Sequence, residues 1–171
     1  MKYILLFLLF SPLLGFAQQC QVKKSIDPYT KEERISTGFA EFGRGGDRFK
    51  LTMDANSKEI EFIFSVPGSA DGKCFNDASV ANVVFEGGKL KSNYKNTLAM
   101  NCKGMFTITF KNATVTPSIL QNLAKRKIMS VKLNSTDKSA TEVTFTGAEQ
   151  EVFMEMVSCI ISESKALLKK P

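Results

Sequence analysis

Two stretches of the chain, residues 49–53 and 60–66, place an apolar side chain at every second position. Phe49, Leu51 and Met53 alternate with Lys50, Thr52 and Asp54. Ile60, Phe62, Phe64 and Val66 follow the same rule, with Glu59 and Glu61 on the opposite side. A period of two gives a strand one apolar and one wet face, so a chain patterned this way must bury one side of a sheet. The turn residues Ala55-Asn56-Ser57 lie between the two stretches and predict a hairpin. Ile35, Thr37 and Phe39 alternate with Ser36, Gly38 and Ala40 and read as an earlier strand. Gly43-Arg44-Gly45-Gly46-Asp47 reads as the loop after it.

Further along, residues 80–85 form a β-branched run that ends in the tight turn Glu86-Gly87-Gly88-Lys89. Residues 95–102 and 104–110 predict a pair of strands around Lys103-Gly104. Phe106, Ile108 and Phe110 then face inward, and Thr107 and Thr109 face water. Residues 127–133 and 140–146 bring the expected number of strands to about eight. Thr116-Pro117 predicts a helix start, with threonine as the cap and proline at the first helical position. Ile119, Leu120 and Leu123 give that short helix an apolar side, and Lys125 or Arg126 suits its carboxyl end. Thr146-Gly147-Ala148-Glu149 has the capping-box pattern. Val152, Phe153, Met156, Val157, Ile160, Ile161, Leu167 and Leu168 then recur at helical spacing. The expected fold is α+β: mainly antiparallel sheet, with one short helix and a long carboxy-terminal helix packed on it.

At 171 residues, one domain with a sizeable core is expected. The amino terminus predicts a secretory signal. Met1-Lys2 is followed by an apolar run broken by Pro12, and Gly15-Phe16-Ala17 offers a cleavage site. The run is too short to span a bilayer. The expected products are a signal over residues 1–17 and an exported domain over residues 18–171, without stable membrane insertion. The style of the signal reads as bacterial, with the domain in the periplasm or secreted. The four cysteines, Cys20, Cys74, Cys102 and Cys159, all follow the signal. An even count in an exported chain predicts two disulfides. The geometric choice is Cys74 with Cys102, across a sheet edge, and Cys20 with Cys159, tying the start of the domain to the last helix.

The chain has no histidine, which excludes Ser-His-Asp and Cys-His catalysis and the commonest zinc ligand. No close cysteine pair suggests a metal site, and no cofactor is expected. The formal net charge is +6. Its cations are interspersed with acids and lack the aromatic strip that stacks bases, so nucleic acid is not an expected partner. Gly43-Arg44-Gly45-Gly46-Asp47 joins two strand-like runs and so reads as a hairpin tip, not a phosphate cradle. Glu59 and Glu61 share a strand face, where paired carboxylates can do acid–base work or simply face solvent. Asn112-Ala113-Thr114 and Asn134-Ser135-Thr136 match the glycosylation acceptor pattern and read here as unmodified surface turns. Lys165, Lys169 and Lys170 suit the end of a helix.

Three short segments resemble those of small secreted bacterial proteins of uncharacterised function. They are Ile26-Asp27-Pro28-Tyr29-Thr30-Lys31, the pair Ile119-Leu120-Gln121-Asn122-Leu123 and Lys127-Ile128-Met129-Ser130-Val131-Lys132, and the final-helix stretch Val157-Ser158-Cys159-Ile160. The resemblance implies an exported domain and assigns no catalytic or binding residue. The expected function is a non-enzymatic binding or interaction module for an envelope or extracellular protein or polymer. The alternatives are a carboxylate-based hydrolase acting on an extracellular polymer and an envelope structural subunit. The hydrolase requires two acids converging in a pocket, one in an apolar setting that raises its pKa.

Overall fold

The computed structural model describes residues 20–67 and 73–168. The expected signal and Lys169-Lys170 lie outside the described residues. The elements run β1 (Lys23–Ile26), β2 (Glu33–Ser36), β3 (Ala40–Arg44), β4 (Asp47–Ala55), β5 (Glu59–Ser65), β6 (Val80–Phe85), β7 (Lys91–Lys95) and β8 (Met105–Lys111). They continue with α1 (Ser118–Lys125), β9 (Ile128–Asn134), β10 (Ala140–Thr144) and α2 (Gly147–Ser164), and a 3₁₀ turn over Lys165–Leu167 follows. This is the expected α+β arrangement of antiparallel sheet with a short and a long helix. The strands form two sheets. One has the order β1-β2-β4-β5-β8, with β3 also paired to β4, and the other has the order β10-β9-β6-β7.

Each sheet turns its apolar alternation inward, so Phe49, Leu51, Met53, Ile60, Phe62 and Phe64 meet Ala81, Val83, Phe85, Val131, Leu133 and Val143 in one core. Rings bridge the sheets. Phe42 of β3 stacks on Phe145, just past β10, at 5.0 Å, and Tyr94 of β7 meets Phe110 of β8 edge-on at 6.0 Å. Helix α2 packs on β2, β4, β5 and α1. Its amino terminus carries the capping box, with Glu149 N–H donating to the Thr146 hydroxyl and the Glu149 carboxylate accepting from Thr146 N–H. The inward stripe is narrower than its periodicity suggested. Phe153, Val157 and Ile160 are buried, while Val152 is exposed.

Residues 95–102 do not form the expected strand. The ladder ends at Lys95, with β7 paired to β6 in the other sheet. The cause is Asn96, which is buried and satisfies backbone groups with its side chain. It donates to the carbonyls of Asn76 and Leu98 and accepts from Thr107 N–H. An asparagine that takes over backbone bonding competes with the ladder and turns the chain away from it. The same segment covers Thr107, which is buried and does not face water as its alternation predicted. At α1, the residue preceding the helix is Pro117, with no side-chain cap. Thr116 lies one residue too early to cap, and its carbonyl instead accepts from Gln121 Nε2.

Candidate binding groove

The edge of the larger sheet contains one extra residue. Ser36 pairs with Asp54 and Ala40 pairs with Leu51, so Thr37, Gly38 and Phe39 oppose only Thr52 and Met53. This is a β-bulge. Gly38 adopts a φ of 73°, a left-handed conformation that glycine takes without a Cβ clash. Thr37 repairs the ladder. Its N–H donates to the Met53 carbonyl, and its hydroxyl accepts from Met53 N–H. An inserted residue exchanges the two faces of everything beyond it. Ile35 is inward before the bulge and Phe42 is inward after it, so Phe39, which the alternation placed inward, is 70% exposed.

Phe39 stands over a groove of about 360 Å³ between this bulged edge and one face of α2. Val152, Glu155, Met156 and Cys159 line the helix side. Their spacing puts them on one stripe beside the core-facing stripe of Phe153, Val157 and Ile160. Two links set the ends of the groove. At one, the Cys20–Cys159 disulfide joins the start of the described chain to α2. Beyond the other, Glu149 Oε1 accepts from Gly43 N–H at 2.8 Å and pins β3 to the amino terminus of α2. Burial raises the pKa of Glu149, but the hydrogen bonds from Thr146 N–H, Gly43 N–H and the Thr146 hydroxyl outweigh it and hold the group below its ordinary value. The carboxylate is therefore charged in the role that needs it.

The second disulfide, Cys74–Cys102, joins the segment before β6 to the one before β8, where Phe75 bridges Asn101. The Gly45-Gly46 pair is the tip of the β3–β4 hairpin, with Arg44 opposite Asp47. Asn112 is not a surface turn. It is buried, and its Nδ2 donates to the carbonyls of Asn56 and Ser164, which ties the end of β8 to the β4–β5 turn and to α2. Asn134 is half-buried at the end of β9 and donates to Val80 and Asn82. Lys165 begins the closing 3₁₀ turn.

The carboxylates occupy a different surface. Asp54 and Glu61 are register partners on the outer face of the larger sheet, away from the core side of β4 and β5. Glu61 binds Arg34 at 2.7 Å. Even so, burial, together with repulsion from Glu59 and Asp54, raises its pKa above the usual value. A carboxyl whose folded pKa exceeds its unfolded one contributes stability below the unfolded pKa and loses it as pH rises through the folded value. Glu61→Gln should therefore raise the denaturation midpoint at neutral pH and leave it unchanged near pH ~3, where the wild-type group is already neutral. Urea melts of both proteins at the two pH values check this. A loss at neutral pH that vanishes near pH ~3 would mean that the Arg34 contact outweighs the burial.

Among the described residues, no three Cys, Asp or Glu side chains come together where they could hold a metal ion. None of the helices there is long and apolar enough to cross a membrane. The two disulfides are consistent with an extracellular or periplasmic protein. No family model, curated protein or solved structure matches this chain.

Proposed function

We propose that the protein is a non-enzymatic binding domain, secreted or held in a bacterial periplasm, and that its groove beside Cys20–Cys159 engages an envelope or extracellular protein or polymer. The exposure of Phe39 carries this reading. A large ring held out of the core by a bulge, beside exposed Val152, is a preformed apolar contact surface. The disulfide and the Glu149–Gly43 link keep that surface rigid, which lowers the entropy cost of binding. The hydrolase alternative has less support, because the Asp54–Glu61 pair lies on an outer sheet face and Glu61 is engaged by Arg34.

A photo-reactive benzoylphenylalanine at position 39, in the native host, tests the reading. Irradiation is expected to give one discrete adduct, while the same group at exposed Asn93 on β7 gives none. Equal labelling at both positions, or none at 39, would overturn the proposal. An adduct with the mass of two copies would instead identify a self-assembling envelope subunit.

A further inference from the structure

The groove is bordered by a strand edge as well as by apolar side chains. Among the described residues β3 pairs only with β4. Its other edge faces α2, because Gly43 N–H points that way and is taken by Glu149. Backbone groups alternate along a strand, so the N–H and C=O of Glu41 point to the same side as Gly43 N–H. Glu41 itself is exposed. The groove has Ala40 on one wall, from which the β3 edge continues at Glu41, and Val152 and Met156 on the other, with Phe39 over it.

Among the described residues a single charged side chain lines it. Glu155 is half-buried, and among the described residues its side chain has neither a hydrogen bond nor an ion pair. A lone carboxylate beside an unpaired strand edge and an apolar floor is complementary to a specific kind of ligand. From this, and resting on the reading of the groove as the binding site, we infer that the occupant is an extended polypeptide segment of a partner protein. The segment adds to the β3 edge as a strand, sets one large apolar side chain between Phe39, Val152 and Met156, and presents a lysine or arginine to Glu155. Strand addition between a sheet edge and a helix supplies affinity through main-chain hydrogen bonds and specificity through alternate side chains. The helix rises about 10 Å between Val152 and Cys159. That length matches about three residues of extended chain, so the recognised motif is short.

The test uses the full, oxidised protein and fluorescein-labelled ten-residue peptides. Each alternates threonine and valine, carries one leucine, and has lysine, glutamine or glutamate two positions away. Polarisation titrations are expected to rank lysine over glutamine over glutamate, with about a tenfold span from an exposed charge contact. Glu155→Lys should reverse that order, and Phe39→Ala should weaken every peptide about tenfold. Both substituted side chains lie on the groove surface, so circular dichroism melts should stay at the wild-type midpoint. Methylating alternate peptide amides should abolish binding for one set of positions and spare the other. If lysine is still preferred after Glu155→Lys, or methylation has no pattern, strand addition is wrong. If the position-39 adduct forms while no peptide in the panel binds, the groove is a binding site for something other than an extended chain. Absence of both the adduct and peptide binding would remove both readings. Peptide binding that falls as protein concentration rises would place a second copy of this chain in the groove and overturn the inference.

Discussion

Replacing Cys20 and Cys159 together by alanine is expected to lower the unfolding free energy by about 4 kcal/mol, near the upper end for a single disulfide. The bond joins positions 139 residues apart, so in the oxidised unfolded chain it closes most of the described sequence into one loop. Loop-closure entropy grows with the logarithm of loop length. The Cys74–Cys102 bond spans 28 residues, and its removal should cost about 1 kcal/mol less by the same account. Guanidinium melts of the two double-alanine proteins against wild type give both numbers, provided the slope with denaturant is unchanged. Paired substitution avoids leaving a lone thiol. The Cys20–Cys159 variant also bears on the groove, since Cys20 and Gln21 form part of its wall. A loss below about 1 kcal/mol would mean that the amino-terminal segment is held mainly by packing, through half-buried Val22.

The parts of the fold that could be read from the sequence are those in which local pattern and tertiary packing agree. The β4–β5 hairpin follows from a period and a turn signal, and its inward side chains are the ones the period selects, while β6 follows from its β-branched run and the start of α2 from its capping box. The failures have a common cause. At residues 95–102 the apolar content suits a strand, but Asn96 spends its amide on the backbone. At residues 35–39 the alternation looks continuous, but Gly38 admits an extra residue and moves Phe39 to the surface. A signal for this existed in the change from an odd inward position at Ile35 to an even one at Phe42, with a glycine between them. The groove depends on that shift and on a helix distant in sequence. Neither the pairing of Glu149 with Gly43 nor the isolation of Glu155 has any local signature. The α+β class survives such errors because it rests on many elements, whereas the groove rests on one inserted residue.

That one-residue geometry is anchored at Gly43, where alanine is expected to cost about 4 kcal/mol, through three separate effects. Gly43 has a φ of 85°, a conformation that disfavours any side chain, by roughly 1–2 kcal/mol. An added Cβ would collide with the Asp47 carbonyl oxygen and come within 2.8 Å of a Val143 methyl group. The first obstacle is backbone of the paired strand, so relief means opening the β3–β4 hairpin. Overpacking of this kind typically costs another 1–3 kcal/mol, roughly. Any such opening also draws Gly43 N–H away from Glu149, a charge-assisted bond worth about 1.5 kcal/mol or more. Gly45 is the internal control. Its φ of 61° is also left-handed, but an added Cβ there meets nothing within 4 Å. Gly45→Ala should therefore cost only the conformational part, about 1 kcal/mol. Denaturant melts of the two variants separate the contributions, and equal losses would show that the close approach to Asp47 relaxes without effect. Because the Gly43–Glu149 bond fixes the separation of β3 and α2 beyond the groove, Gly43→Ala should also weaken peptide binding under conditions where the variant remains folded. Gly45→Ala should leave it intact, since the hairpin tip touches neither wall.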